Sequence, residues 1–113
     1  MSFFSSLFGA AVQKHDAIKI LDKEAFQNAI EHHNVQLVDV RTPQEYQGGY
    51  LKNAINIDYF DALNFTLTFE KLNKQKPVYL YCRSGNRSQK AAAKLVEMGF
   101  TKIYDLKGGY MNW

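Results

Sequence analysis

The sequence predicts a single α/β domain built on a central parallel β-sheet of about five strands flanked by helices. Short β-forming runs alternate with helix-patterned segments along most of the 113 residues, the order that parallel strands joined by right-handed crossovers require. The length is that of one domain, and 46% hydrophobic residues, with 14% of the chain aromatic, are enough to bury a core. Two prolines, seven glycines, 22% charged residues and no repeated tract exclude collagen-like, coiled-coil and low-complexity classes.

Residues 1–16 read as an apolar arm, floppy or docking, ahead of a domain spanning 17–113. The stretch MSFFSSLFGAAV carries no Lys or Arg before Lys14, unlike a secretory leader, and is too short to cross a bilayer. Ala17 to Leu21 is the first β-like run. Asp22 is a good N-cap for a helix from Lys23 to about His33, in which Ala25, Phe26, Ala29 and Ile30 have helical spacing. Val35, Leu37, Val38 and Val40 form a β-branched run that Asp39 interrupts. Thr42, Pro43, Gln44 and Glu45 spell a capping box with proline at the first helical position, and that short helix should end by Gly48-Gly49. Ala54 to Ile57 is a further strand.

Residues 58–76 are expected to be mostly helical, from the spacing of Leu63, Leu67 and Leu72, although the β-formers Thr66 and Thr68 are mixed in. Val78 to Tyr81, opened by Pro77 and ended by Cys82, is the clearest strand. A six-residue loop, Cys82 to Arg87, leads into a helix from Ser88 to Met98 with Ala91, Ala92, Leu95 and Val96 on one face and Lys90 and Lys94 on the other. Gly99 fits the position that closes it. Lys102 to Leu106 is the last strand, before Gly108-Gly109 and an aromatic tail ending at Trp113.

The formal charge of +3 is local. Residues 82–94 hold Arg83, Arg87, Lys90 and Lys94 and no acid, leaving −1 for the rest of the chain. Only three arginines exist, and two lie within five residues of the single cysteine. One cysteine makes no intramolecular disulfide, so a reducing, cytoplasmic setting is expected. Ligands of parallel sheets sit beyond the carboxyl ends of the strands, where Cys82 stands. There the loop amides, the positive end of a helix dipole and two guanidiniums favour an anion, so thiolate is the expected reactive form. Gly85 gives the loop the backbone freedom to curl around the sulfur. The plainer alternative, a small buried residue ending a strand, does not account for the strand, cysteine, glycine, two arginines and helix in that order.

Cys82 to Ser88, CRSGNRS, resembles the active-site loop of the rhodanese family of sulfurtransferases. The likeness extends to LVDVR at Leu37 to Arg41, TPQEY at Thr42 to Tyr46, Ala54 to Ile57, and Gly108-Gly109-Tyr110 with Trp113. Gly49-Tyr50 stands where many members have Gly-His. The resemblance implies a rhodanese-like fold and transfer of a sulfane sulfur from a small anionic donor such as thiosulfate, through a persulfide on Cys82, to cyanide or a thiol. Arg83, Ser84, Gly85, Asn86, Arg87 and Ser88 would bind donor and persulfide, with Asp39 and Arg41 in support. No metal or organic cofactor is implied. The chain ends at Trp113 without a tail over the site, so a bulky acceptor is expected, a protein thiol of thioredoxin-like or sulfur-carrier type.

Two alternatives share Cys82. One is a relay module that takes persulfide from one protein and offers it to another, with little turnover on small molecules. The other, a cysteine-dependent phosphatase or arsenate reductase, is disfavoured because four residues separate Cys82 from Arg87 where the phosphate-binding relatives have five. Arg87 is expected to orient the donor or to pair with Asp39, and Arg41 with Glu45, four residues on across a helix start. His32 and His33 lack a nearby Cys or acid at ligand spacing and do not read as metal ligands, and His15 lies in the arm. No basic-aromatic strand pattern points to nucleic acid. Lys90 and Lys94 read as a solvated basic stripe, or as a docking surface for an acidic protein.

Overall fold

A computed structural model describes residues 16–32 and 34–113. The expected arm, apart from Asp16, and the expected helix end at His33 lie outside them. The elements run β1 (Ile18–Leu21), α1 (Lys23–Ile30), β2 (Gln36–Asp39), α2 (Pro43–Gln47), β3 (Ile55–Asn56), α3 (Ala62–Phe69), β4 (Val78–Tyr81), α4 (Asn86–Glu97) and β5 (Ile103–Leu106), with a closing 3₁₀ turn at Tyr110–Asn112. The strands form one five-stranded sheet in the order β1-β5-β4-β2-β3, and every pairing is parallel.

Helices cover both faces, so the strands read as near-continuous apolar runs. On one face Val38, Val40, Val78, Leu80 and Ile103 pack with Phe65 and Phe69 of α3 and Ala91, Ala92 and Leu95 of α4. On the other, Leu37, Tyr81 and Leu106 pack with Phe26 of α1. Each large side chain so buried contributes about 1.5–3 kcal/mol. The expected caps form: Asp22 accepts from the Ala25 amide at 2.9 Å, and the Thr42–Glu45 capping box closes in both directions. Gly99, at φ +103°, follows the Met98 cap of α4.

Residues 58–76 depart from the expected long helix. Only Ala62–Phe69 is helical, because the Asp58 carboxylate takes the Phe60 amide in a turn and Asp61 then caps α3 through the Asn64 amide. At the far end the Gln36 side chain holds the Asn73 amide and carbonyl, drawing residues 73–77 into a turn before β4. Phe65 and Phe69 face the core, whereas Leu63 and Leu67, whose spacing suggested the helix, are exposed. Helix α4 begins two residues earlier than expected, at Asn86, which places Arg87 in its first turn.

The connection after β2 leads outward to β3, and the connection after β4 leads the opposite way to β5. The carboxyl ends of these two adjacent strands therefore border the crevice in which α/β sheets bind ligands. Asp39 to Arg41 leave one strand there and Cys82 leaves the other.

Candidate active site

Cys82 lies directly after β4, 1% exposed, at the floor of its loop. Its Sγ accepts hydrogen bonds from the amides of Gly85, at 3.0 Å, and Ser88, at 3.3 Å. Ser88 is the third residue of α4, and its amide is one of the N-terminal donors with no partner inside the helix. Helix N-caps usually bring a side-chain oxygen to such a donor. Here the N-cap is Gly85, which has no side chain, and the cysteine sulfur takes that place. Gly85 sits at φ +106°, a conformation that lets its own amide turn inward onto the sulfur. The Ser88 hydroxyl, fully buried, donates to the Gly85 carbonyl at 3.2 Å and lies 3.4 Å from Sγ.

The far end of the chain clamps this loop from outside. The Tyr110 amide donates to the Cys82 carbonyl at 2.8 Å, and the Met111 amide to the Arg83 carbonyl at 3.0 Å. Gly109, at φ +67°, makes that approach possible: a Cβ there would stand 2.4 Å from the Arg83 oxygen and 2.7 Å from the Cys82 oxygen.

Two ion pairs support the crevice, and each joins partners other than those expected. Asp39 pairs with Arg41, which meets its carboxylate at 2.7–3.0 Å and gives a further bond to the Gly49 carbonyl at 2.6 Å. Both residues are buried, and the guanidinium stacks 4.4 Å over the Tyr110 ring. Burial alone would make Arg41 easier to deprotonate, but the hydrogen bonds and charge of Asp39 outweigh it. Arg87 pairs with Glu45, through two bonds of 2.6 and 2.9 Å. The expected Arg41–Glu45 and Arg87–Asp39 pairs are replaced because Asp39 bonds the backbone amide of Arg41 at 2.9 Å, folding the Arg41 side chain back onto it. That leaves Glu45, at the start of α2, to face α4 across the crevice. Arg87 holds the Glu45 carboxyl at about 2, against the opposing effect of burial.

Cys82, Gly85 and Ser88 thus meet at the sulfur, with Arg87 half-buried beside them. Arg83, Ser84 and Asn86 are exposed. Two residues at the crevice, Asn56 and Asp105, carried no expected role, and a third, Glu45, was paired differently. Asn56 ties β3 to the crevice by donating to the Asp39 and Arg41 carbonyls at 3.0 and 2.9 Å. Glu45 was assigned to the wrong arginine. Asp105, 1% exposed on β5, has an Oδ1 without a partner among the described residues, and burial pushes its carboxyl up to about 6 while the Ser88 hydroxyl draws it down. An acid inside the apolar run Ile103 to Leu106 was the available signal, as Asp39 was in β2.

The family model for the rhodanese-like domain matches residues 22–113. The uncharacterized protein YqhL of Bacillus subtilis is 35% identical over 112 residues, 99% of this chain and 85% of that one. The thiosulfate sulfurtransferase GlpE of Coxiella burnetii is 33% identical over 84 residues, 74% of this chain and 76% of that enzyme. Among solved structures, a rhodanese-like domain protein from Staphylococcus aureus matches with a TM-score of 0.74 and 30% identity, over 84% of this chain and 90% of that one. The chain belongs to the rhodanese-like domain family, and sulfurtransferases are among its relatives.

Proposed function

We propose that this protein is a sulfurtransferase that carries sulfane sulfur as a persulfide on Cys82. The observation that supports it best is the convergence of the Gly85 and Ser88 amides on Sγ. The two amides aim at the atom that makes the attack, where they hold the sulfur in place for it. The thiolate attacks the outer sulfur of thiosulfate; the S–S bond to the sulfonate sulfur breaks, and sulfite leaves with the electron pair. A thiophilic acceptor, cyanide or a thiolate, then attacks the terminal sulfur of the persulfide, and Cys82 departs as thiolate. The charges balance at each step, and neither step calls for an oxidant or a cofactor.

Exposed Arg83 and half-buried Arg87 attract the dianionic donor and steady the departing sulfite. The terminal sulfur, about 2 Å beyond Sγ, lies nearer the loop surface, where the acceptor reaches it. Ser84 and Asn86 line the approach, and Asp39 and Arg41 brace the crevice from the other strand. The cradle amides are already taken up by one sulfur atom, which speaks against a site shaped for a tetrahedral phosphate. We assign the protein to the cytoplasm, where its lone thiol stays reduced, with a protein thiol as acceptor and residues 1–16 as an arm outside the catalytic domain. Among the described residues no helix is long and apolar enough to cross a membrane.

Intact-mass spectrometry of the reduced protein before and after thiosulfate tests this reading. A gain of about 32 Da, one sulfur, that requires Cys82 and is released by cyanide as thiocyanate is expected. Loading by a persulfidated protein but not by thiosulfate would make the chain a relay module. No loading from any donor, with hydrolysis of an aryl phosphate instead, would overturn it.

A further inference from the structure

Leu63 and Leu67 have helical spacing yet do not face the core. They are 73% and 55% exposed, and Phe60, just before α3, is 65% exposed. Leu63 and Leu67, four residues apart, share one face of α3, and Phe60 stands exposed in the turn that leads into that helix. This apolar stripe begins at the mouth of the candidate site. The Tyr59 amide donates to the Val40 carbonyl and the Val40 amide to the Tyr81 carbonyl, so residues 59–61 share the strand-end rim from which Cys82 emerges. The Arg87 guanidinium sits 5.4 Å from the centre of the Phe60 ring.

Helix α4 starts from the same rim and runs beside the stripe, since Lys94 Nζ lies 4.9 Å from the centre of the Phe65 ring of α3. Lys90, one turn nearer the rim, is exposed. The acids close by are Asp58 and Asp61, which hold backbone amides, Glu70, which pairs with Lys74, and Glu97, which ends α4 three residues beyond Lys94. An apolar stripe and a basic stripe therefore run side by side away from the sulfur.

We infer that this double stripe docks the sulfur acceptor, a protein thiol whose contact segment carries leucine-like side chains flanked by Asp or Glu. The inference rests on the sulfurtransferase reading and names the acceptor class for it. Charge complementarity selects the occupant. The chain's own residues 1–15 are apolar but contain no Asp or Glu, so they offer nothing to Arg83, Lys90 and Lys94. An acidic partner is drawn to the basic stripe, while its apolar side chains cover Phe60, Leu63 and Leu67 and set its thiol over the cradle.

The test uses the full chain and three synthetic cysteine peptides: one with flanking Glu and Leu, one with Lys replacing Glu, and one with Ser replacing Leu. With thiosulfate as donor, kcat/KM for the Glu/Leu peptide should exceed that for glutathione and for either control peptide at least tenfold. Added salt should shrink the advantage over the Lys peptide. The double variant Leu63→Ser/Leu67→Ser and the variant Lys90→Glu should each lose about tenfold with this peptide while thiosulfate–cyanide turnover stays within twofold. Equal rates for all thiols, or variants that slow cyanide and peptide alike, would overturn the docking surface and leave the sulfurtransferase reading intact. Absence of both sulfur loading and cyanide turnover in the unmodified protein would defeat that reading itself. A concentration-dependent dimer abolished by Leu63→Ser/Leu67→Ser would give the stripe to a second copy of the chain and overturn the proposal.

Discussion

Arg87 donates to both carboxylate oxygens of Glu45, at 2.6 and 2.9 Å, across 42 residues of sequence. Glu45 also accepts from the Thr42 amide at 3.0 Å, closing the capping box of α2. One carboxylate therefore links the helix that follows β2 to the helix that follows β4, and the two walls of the crevice are held in register.

This link has a pH signature. The Glu45 carboxyl is lowered from 4.5 to about 2, through the Arg87 hydrogen bonds first and the Thr42 amide after. A depressed folded value means that the stability it contributes is fully present above about pH 4.5 and is lost as pH falls toward 2. Glu45→Gln should cost about 1–2 kcal/mol at pH 7, with the gap from wild type closing as pH falls to 2. Urea unfolding at several pH values measures it; a gap independent of pH would show that the carboxylate charge is irrelevant.

The exchange of partners is open to double-mutant cycles. Asp39 with Arg41, and Glu45 with Arg87, should each show coupling above about 0.5 kcal/mol, and Arg41 with Glu45 less than that. Removing Arg41 alone leaves the buried Asp39 unpaired and should cost about 3–5 kcal/mol. A strong Arg41–Glu45 coupling would restore the pairing expected from sequence.

Glycine substitutions separate the clamp from ordinary turns. Gly109→Ala pushes a methyl to within 2.4 Å of the Arg83 carbonyl at φ +67°. It should cost more than about 2 kcal/mol and abolish sulfur loading of Cys82. Gly48→Ala is the control, since Gly48 caps α2 at φ −76° with its nearest neighbour at 3.4 Å, and should stay within about 0.5 kcal/mol of wild type. Thermal unfolding and mass spectrometry report both effects, and equal behaviour of the two variants would remove the clamp from the account.

Asp105 carries the opposite pH dependence to Glu45. Its carboxyl is raised from 3.8 to about 6 by burial. A raised folded value for an acid means that stability is highest with the proton on, below about pH 4, and declines as pH rises through 6. The decline should approach about 3 kcal/mol, and Asp105→Asn should remove it. Unfolding free energies between about pH 3.5 and 8 decide the matter; parallel curves for the two proteins would mean that Asp105 does not titrate in this range.

Much of this molecule follows from sequence alone. Element order, the caps at Asp22 and Thr42, and the strand–cysteine–loop–helix succession depend on neighbours within a few residues, so they are legible in the chain. Cys82 and the cradle residues Gly85 and Ser88 fall in one continuous segment for the same reason.

Ion-pair partners are another matter, since Glu45 and Arg87 meet only because β2 and β4 are adjacent in the sheet. Gly109 is needed only where the chain end crosses the Cys82 loop, and Asp105 loses water only once α4 covers β5. The same holds for Leu63 and Leu67, whose spacing is helical whether the stripe faces core or solvent. Sequence therefore determined the local backbone and the segment that carries the candidate site. Tertiary structure alone decided which charges pair, which carboxyl is stranded and which apolar face stays open, because burial and contact across the sheet are properties of packing that no short window of residues contains.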